Sequence, residues 1–270
     1  MTSATVGGGG STTGIEVRRC KGLAEFERCM EIQRIVWACA DIDMLPITFL
    51  VATDESGGQI LGAFDHAAGG RMIGFSLALV GFRGEGHYLH SFMIAVVPEY
   101  QNRGIGRLLK LSQREHALEQ HIDVVEWAFD PLDIRNAHFN LVRLGAIARK
   151  FLSNFYGITT SPLHGGMPTD RLLAEWWLAT PRVRACVGQA RGNSAVQLAE
   201  VVRIRVPKEL AEWKNTDREK AKRMQEEIRG EFQQWLSRGY AAAGLEMNNE
   251  GGSYLLVPFD KVPGLTRGPL

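Results

Sequence analysis

The segment "AVVPEYQNRGIGRLLKLSQ" at residues 95–113 constrains the fold more than any other part of the chain. It begins as an apolar strand, is interrupted by Pro98, and passes through Gly104 and Gly106 into an amphipathic helix. The first turn of a helix leaves backbone N–H groups without partners, and the helix dipole favours negative charge there. A glycine has no Cβ to keep a phosphate away from such N–H groups. The segment therefore predicts either a phosphate-binding turn or a plain tight connection between strand and helix.

Two common phosphate-binding loops do not fit this segment. The sequence contains no GxxxxGK[ST], and Leu109 stands where GxGxxG would place its third glycine. Arg103 and Arg107 flank the glycines and would add positive charge beside the N–H groups of the helix. A phosphate site here would therefore be of a different type, in which a helix N-terminus and two arginines act together.

The order of the predicted elements indicates a mixed α/β fold. Apolar alternation predicts strands, and apolar residues at near-helical spacing predict helices. The segment "IDVVEWAFD" is almost continuously apolar, which is typical of a strand covered on both faces. In chain order we predict a strand at 15–18, a helix at 22–38, a hairpin of strands at 59–64 and 71–80, a strand at 87–97, a helix at 104–120, a strand at 122–130, a helix at 135–146 and a strand at 171–178.

The last part of the chain forms a separate group of predicted elements. "VVRIRV" predicts a strand, and "TDRE" at 216–219 is a capping box that would open a helix at 217–238. "YAAAGLEMNNEGGSYLLV" predicts a closing hairpin. We therefore predict a disordered tail at 1–14, a main α/β domain at 15–180, a linker at 181–200, and a C-terminal strand–helix–hairpin extension at 201–270.

"IAVVPEYQNRGIGRLL" resembles motif A of the GNAT acyltransferase superfamily, which is a strand, then Gln/Arg-x-x-Gly-x-Gly/Ala, then a helix. The element order agrees over roughly residues 15–178. The resemblance implies a GNAT-like acyl-CoA N-acyltransferase fold whose motif binds the pyrophosphate of coenzyme A. It also implies that the pantetheine arm pairs with the strand near 93–96. The residues predicted to bind the cofactor are Ile94, Val96, Gln101, Arg103, Gly104, Ile105, Gly106, Arg107, Asn136 and Asn140.

A closer resemblance concerns the possible substrates. "FDPLDIRNAHFN" and "DRLLAEWWL" resemble a subgroup of predicted acyltransferases within the superfamily, some of which are associated with N-succinylation of amino acids. This resemblance implies acetyl-CoA or succinyl-CoA as the acyl donor, without a metal, and the amine of a small molecule such as an amino acid as the acceptor. Direct attack of the amine within a ternary complex is the implied mechanism.

One position departs from the superfamily pattern. Its consensus has a Tyr four residues before the Gly that ends this helix, and the Tyr protonates the departing thiolate. In this chain that place is occupied by Leu141, which cannot donate a proton. Either another group protonates the sulfur, or the thiolate leaves unassisted, as a thiol with a pKa near 8.5 can.

Candidate catalytic residues follow from the need to deprotonate the amine and to protonate the sulfur. His90 lies on the strand of the motif, in expected alternation with Phe92 and Ile94, and could act as the base; the alternative, which we favour slightly, is a structural histidine bonded to a neighbouring strand. Asp130 ends its strand and is either a base or a turn former before a proline. Tyr156 could supply the missing proton, or be an ordinary half-buried aromatic residue. Two further residues considered for the base are Glu85 and His87.

Composition limits the remaining possibilities. Lys and Arg number 31 against 30 Asp and Glu, whereas a protein that binds nucleic acid or a membrane surface would usually show a basic excess. The four cysteines show no CxxC pair and no metal-ligand spacing. The N-terminal sequence lacks the pattern of a signal peptide, so we expect a cytoplasmic protein without nucleic-acid or membrane partners. The apolar stripe of the helix at 217–238 is compatible with a homodimer or with packing on the main domain.

Two other functions remain open. A GNAT-like domain that binds acyl-CoA without turning it over would be a sensor, and Leu141 in place of Tyr favours it. A peptide or protein N-acetyltransferase is the other alternative, and it would need a groove for an extended peptide.

Overall fold

In a computed structural model, the structure describes residues 13–38, 40–84, 86–157, 160, 166–188 and 200–265. Most of the predicted tail, together with Cys39 and Glu85, lies outside these residues. The described residues form two compact units. Unit 1 comprises residues 13–125 with Thr160, and unit 2 comprises 126–157, 166–188 and 200–265. This division differs from the predicted domain bounds, which concern independently folding parts and stay a prediction.

Unit 1 is an antiparallel sheet with helices. Its strands are β1 (Ile15–Arg19), β2 (Gln59–Asp65), β3 (Arg71–Arg83) and β4 (Gly86–Val96), in the order β1-β2-β3-β4. Its helices are α1 (Gly22–Trp37), α2 (Ile47–Glu55) and α3 (Ile105–Glu119). The core is built from the apolar faces of these elements, and its fully buried side chains include Ile32, Leu50, Phe75, Leu77 and Leu109.

The pairing of β3 with β4 contains a β-bulge that matters for the site. Ala78 pairs with Ser91 and the adjacent Leu77 pairs with Met93, so Phe92 is an extra residue in β4. Adjacent residues of a strand point to opposite faces of the sheet. Because Leu77 and Ala78 are adjacent in β3, Ser91 and Met93 also point to opposite faces, and the alternation of β4 is reversed at Phe92.

Unit 2 holds the rest of the chain. It contains α4 (Ile134–His138), a π-helical turn (Phe139–Arg143), β6 (Ile147–Leu152), β7 (Arg171–Trp177), α5 (Pro181–Gly188), β8 (Val202–Pro207), α6 (Leu210–Thr216), α7 (Arg218–Leu236), β9 (Tyr240–Asn248) and β10 (Gly251–Pro258). β5 (Val124–Phe129) begins in unit 1 and ends in unit 2. The strand order in unit 2 is β5-β7-β6-β9-β10-β8, so the predicted C-terminal hairpin extends the sheet.

The mixed α/β fold predicted from the sequence is confirmed, with local corrections. The predicted linker at 181–200 begins with α5, in which Arg182 and Val183 are buried, whereas 189–199 lie outside the described residues. The predicted helix at 135–146 is only the short α4 and the π-helical turn. The cap of α7 is Asp217, whose side chain accepts the Lys220 N–H at 3.0 Å, rather than a Thr. Three elements were missed: α2, β6 and α6.

Candidate active site

The turn between β4 and α3, here called the β4–α3 corner (residues 97–107), is held from both sides. The Val97 N–H donates to the carbonyl of Ile73 in β3 at 3.0 Å, which ties the end of β4 to its neighbour. The side-chain amide of Gln101 donates back to the Val96 carbonyl at 2.9 Å. The chain then turns through left-handed conformations at Asn102 (φ 60°) and Gly104 (φ 84°). Glycine adopts such a φ without steric cost, which explains Gly104 in terms of the backbone alone.

The corner presents backbone donors at the start of α3. Gly104 precedes the helix and has no side chain with which to cap it, and its carbonyl accepts the Leu108 N–H at 3.0 Å. Within the described part of the chain, no acceptor is found for the N–H groups of Ile105 and Gly106. Ile105 is buried in the core, which fixes the start of the helix, whereas Gly106 beside it is half-buried. These donors and the helix dipole form a site for an anion.

Gly106 is the position at which the packing of the chain does not require a glycine. It lies inside α3 and does not have a positive φ. A Cβ added there would meet no atom of the described residues within 4 Å. The space beside the first turn is therefore open, and a glycine at this position leaves room for a group that approaches the backbone.

Positive charge lies close to the corner. Arg103 is exposed, and its guanidinium carbon is 5.1 Å from the ring centre of Tyr100; Arg107 is half-buried. The Tyr100 hydroxyl donates to Asp65 at 2.6 Å, and this hydrogen bond holds the pKa of Asp65 below its usual value. Arg103 thus packs against the ring of Tyr100, and the hydroxyl of that ring is hydrogen-bonded to Asp65 at the end of β2. The sequence analysis missed this link, because Tyr100 and Asp65 are far apart along the chain.

The cofactor residues predicted on β4 lie on one face of the strand. Ile94 pairs with Ser76 and Val96 pairs with Gly74, and both side chains are half-buried. Because of the bulge, Ser91 also lies on this face of β4.

The expected alternation of His90 with Phe92 and Ile94 is therefore wrong. His90 pairs with Leu79, which puts it on the opposite face of the strand from Ile94. Its ring centre lies 6.3 Å from that of Phe92. Its catalytic role stays a prediction.

A buried polar cluster lies between β4 and α3. Lys110 is 2% exposed, and its Nζ donates to Ser91 Oγ at 2.8 Å and to Gln113 Oε1 at 3.0 Å. Burial lowers the pKa of Lys110 to about 7. The sequence analysis did not single out this cluster, although a lysine inside the apolar run "RLLKLS" was a visible signal.

Asp130 follows β5 in unit 2, and its carboxylate already has partners. One oxygen accepts the Leu132 N–H at 2.8 Å, and the other is 3.5 Å from Lys214 Nζ. These contacts are those of a turn former with an ion pair, and a role as base stays a prediction. Asp133 caps α4, since its side chain accepts the Asn136 N–H at 3.0 Å.

The two asparagines predicted to bind the cofactor differ in burial. The Asn136 side chain is exposed, whereas Asn140 is 1% exposed and lies in the π-helical turn. Among the described residues, no acceptor is found for the Asn140 side-chain N–H₂. An unsatisfied buried amide costs free energy, and π-helical turns are frequent at functional sites, so Asn140 remains a candidate for ligand contact. Leu141 is fully buried and cannot donate a proton.

Tyr156 lies in the loop after β6. Its side chain is 40% exposed, its ring centre is 4.7 Å from that of Phe155, and the Arg171 guanidinium lies 5.2 Å from its ring centre. Burial raises the pKa of Tyr156. A raised pKa makes it a weaker acid, and its predicted role as proton donor is not tested by these contacts.

Unit 1 thus brings together His90, Ile94, Val96 and the residues from Gln101 to Arg107, whereas the other predicted site residues belong to unit 2. In the described ranges, no group of three or more His, Cys, Asp or Glu residues is placed to hold a metal ion. No single helix of those ranges is long and apolar enough to cross a membrane. Taken together, the bent pair formed by Gly22–Trp37 and Asp41–Glu55 has the length and composition of a membrane span. The core helices of a protein can have the same length and composition, so this is weak evidence for a span.

Comparison with known proteins concerns mainly the first half of the chain. The family model described as "Acetyltransferase (GNAT) family" matches residues 24–145. A comparison with curated proteins gave no match.

Several solved structures are similar to part of this chain. Arabidopsis thaliana NAA60, in complex with a bisubstrate analogue, is 18% identical over 60% of this chain and 98% of that one, with a TM-score of 0.50. The ribosomal-protein-S18-alanine N-acetyltransferase of Escherichia coli is 14% identical over 60% and 92% of the two chains, with a TM-score of 0.47. A GNAT family acetyltransferase from Elizabethkingia anophelis with acetyl-CoA bound is 13% identical over 62% and 99%, with a TM-score of 0.43. At these identities the similarity concerns the fold alone.

Proposed function

Residues 24–145 match the model of the GNAT acetyltransferase family, and from that similarity we propose that the chain transfers an acyl group from coenzyme A to the nitrogen of a small-molecule amine. The superfamily resemblance and the GNAT-like fold expected from the sequence are confirmed. The donor in this proposal is acetyl-CoA or succinyl-CoA, and the acceptor is an amino acid. The resemblance of "FDPLDIRNAHFN" and "DRLLAEWWL" to acyltransferases associated with N-succinylation supports this choice.

The observation that carries the proposal is the β4–α3 corner. The N–H groups of Ile105 and Gly106 have no acceptor among the described residues, and the space beside Gly106 is open. A diphosphate fits such a site because it can accept both N–H groups, and its negative charge is favoured at a helix N-terminus. Arg103 and Arg107 supply counter-charge at the same turn.

The length of β4 agrees with the length of the cofactor. A strand rises about 3.3 Å per residue, so the four residues from Val96 back to Phe92 span roughly 13 Å. This is the order of length of an extended pantetheine arm. With the diphosphate at Gly106 and the arm along Val96 and Ile94, the thioester would lie at the bulge of Phe92.

The bulge suits the reacting end of the thioester. A bulged residue is left out of the ladder, so that a backbone N–H can be directed away from the neighbouring strand. An N–H directed at the thioester carbonyl would stabilise the oxyanion that forms when the amine attacks. The amine must lose a proton, for which His90, Asp130 or an ordered water is the proposed acceptor.

The diphosphate site is tested with Gly106→Glu. A glutamate at this position fills the open space and places a negative charge where the diphosphate would bind. Calorimetry with acetyl-CoA should show no binding by this variant. Gly230→Glu is the matched control, because Gly230 also lies inside a helix with no described atom within 4 Å of an added Cβ. Wild-type affinity in both variants would contradict the placement of the cofactor.

The acceptor class is tested separately. The full chain is incubated with acetyl-CoA or succinyl-CoA and either the free amino acids or peptides, and the release of free thiol is measured. Release that requires free amino acids supports the proposal. Release that occurs only with peptides would replace it with a peptide N-acetyltransferase.

A sensor function is the second candidate, and the burial of Leu141 favours it. Leu141 is 1% exposed and occupies the place of the tyrosine that protonates the sulfur in the superfamily. A sensor would bind acyl-CoA without breaking the thioester. A single-turnover experiment with acetyl-CoA and an amino-acid mixture distinguishes the two, since a sensor would bind the thioester and release no thiol.

A further inference from the structure

The buried contact between Lys110 and Ser91 is a polar pair that the proposed reaction has not yet used. Ser91 is 5% exposed and Lys110 is 2% exposed. Lys110 Nζ donates to Ser91 Oγ at 2.8 Å, so the hydroxyl hydrogen of Ser91 remains available to a second acceptor. Among the described residues, no acceptor for that hydrogen is found. A buried hydroxyl with an unused hydrogen is costly unless a ligand accepts it.

The pair lies beside the proposed path of the thioester. Lys110 follows Gly106 by four residues, so it is on the same side of α3, one turn further along. Ser91 shares its face of β4 with Ile94 and Val96, because the alternation is reversed at Phe92. Ser91 is also adjacent to the bulge at which the strand length places the thioester. With the thioester at that place, the Ser91 hydroxyl would lie next to the bond that breaks.

The reaction requires a proton at this place. The sulfur leaves as a thiolate, and Leu141 cannot protonate it. We propose that Ser91 and Lys110 form a proton relay in which the Ser91 hydroxyl protonates the departing sulfur of coenzyme A and Lys110 reprotonates Ser91. The relay rests on the proposed function and assigns to that site its general acid.

The relay balances atoms and charge. The amine nitrogen forms a bond to the thioester carbon, and the carbon–sulfur bond breaks with its electron pair remaining on sulfur. Ser91 gives its hydroxyl proton to sulfur and takes one proton from the Lys110 ammonium group, which becomes a neutral amine. The attacking amine releases one proton to its base, the base returns that proton to solvent, and Lys110 takes one proton from solvent. The products are an amide and a free thiol, without net uptake or release of protons.

The environment of Lys110 suits a proton donor that works near neutrality. Burial lowers the pKa of Lys110 to about 7, whereas an exposed lysine has a pKa of about 10.4. Gln113 Oε1 accepts a second N–H of Lys110 at 3.0 Å and keeps the amine directed at the strand. The ammonium form is therefore accessible and ready to give up a proton.

The test measures the bound product and does not depend on knowing the acceptor. Free coenzyme A is bound to the full chain, and the pKa of its thiol is titrated by the ultraviolet absorbance of the thiolate, with desulfo-coenzyme A as the blank. A hydrogen bond from Ser91, oriented by its contact with Lys110, should stabilise the thiolate and lower the pKa of the bound thiol by about 1 relative to the same complex of Lys110→Met. Ser91→Ala should raise it in the same way.

Controls separate the relay from a purely structural role. Ser91→Thr keeps the hydroxyl and should keep the lowered pKa of the thiol. Ser76→Ala removes another buried hydroxyl, which lies in β3 on the same face of the sheet as Ser91, and should leave the pKa of the thiol unchanged. Circular dichroism verifies that each variant is folded. If Lys110→Met does not fold, the comparison of wild type with Ser91→Ala tests the relay.

The possible results separate this inference from the proposed function. Binding of coenzyme A with the same thiol pKa in wild type, Lys110→Met and Ser91→Ala would overturn the relay alone. Failure of the wild type to bind coenzyme A in calorimetry would overturn the proposed function, and the relay with it.

Discussion

Two strand-to-helix turns of this protein treat their backbone donors in opposite ways. At the β4–α3 corner, Gly104 offers no side chain and the helix begins with N–H groups that have no acceptor in the described residues. At the turn between β5 and α4, here called the β5–α4 corner (residues 130–136), Asp133 accepts the Asn136 N–H and Asp130 accepts the Leu132 N–H. The second corner satisfies its own donors, whereas the first leaves them for a ligand. A helix N-terminus is an anion site only where the chain has not already occupied it.

The same two helices also differ one turn further along. In α3, Lys110 is buried with two hydrogen-bond acceptors, Ser91 and Gln113. After α4, Asn140 is buried and its side-chain N–H₂ has no acceptor among the described residues. The first helix thus buries a titratable group that is bonded to the sheet, and the second buries an amide whose donors stay unsatisfied within the described residues.

The largest expected effect comes from placing an aspartate at the β4–α3 corner, so that a side chain can accept its N–H groups as Asp130 and Asp133 do at the β5–α4 corner. In Gly104→Asp, the new carboxylate can accept an N–H of the first turn and repels a diphosphate, while aspartate tolerates the left-handed conformation. Affinity for acetyl-CoA should fall more than about a hundredfold, as like charges in contact cost several kcal/mol. Calorimetry checks this. Undiminished affinity would mean that the two corners do not differ in function.

The next effect concerns the buried lysine. The pKa of Lys110 is about 7 in the folded chain and near 10.4 when unfolded, so the unfolded chain binds more protons between these values. Stability should therefore rise with pH in this window, by roughly 2 kcal/mol from pH 7 to 9 relative to Lys110→Met. Urea unfolding of both chains at the two pH values measures it. In the control Asn140→Leu, which removes no titratable group, the free energy of unfolding should change with pH by the same amount as in wild type.

Opening the closed corner should cost less. Asp133→Ala removes the cap of α4, and loss of an N-terminal cap costs about 1 kcal/mol of stability. Urea unfolding should show this decrease in stability. The affinity for acetyl-CoA should stay within about twofold of wild type, which corresponds to about 0.4 kcal/mol of binding free energy. A large loss of affinity would show that the β5–α4 corner also takes part in binding.

The smallest effect is expected from the exposed arginines. Arg103→Leu removes a charge at the β4–α3 corner and should weaken acetyl-CoA binding about threefold, because exposed charges interact weakly through water. The loss should shrink as salt is added, owing to screening. Arg135→Leu, at the β5–α4 corner, is the matched control and should leave the affinity unchanged. Equal effects of both substitutions on the affinity would show that the two corners do not differ in their electrostatic contribution to binding.

The elements that the sequence predicted well are those with strong internal periodicity. The helix at 104–120 and the strand at 122–130 correspond to α3 and to β5 within a few residues, because a buried stripe or a buried run is visible in the residues themselves. β6 was missed because "IARKFL" carries charged residues and becomes a strand through pairing with β7. Its place as a strand depends on segments distant in the chain.

The catalytic candidates show a similar limit. His90 was assigned to the face of Ile94 on the assumption of regular alternation. The register with β3 inserts Phe92 as an extra residue and moves Ser91 to that face instead. A bulge is a property of two paired strands, so the residues of β4 alone could not reveal it.

The sequence by itself determined the β4–α3 corner, because its features are local. A proline ends the strand, a glycine permits the left-handed turn, and the helix that follows carries its own unsatisfied donors. Only the tertiary structure decided what lies beneath that corner. Ser91 and Lys110 are 19 residues apart, and they meet because α3 packs against β4 in a register set by the bulge. A contact of that kind depends on the packing of one element on another, which no local pattern encodes.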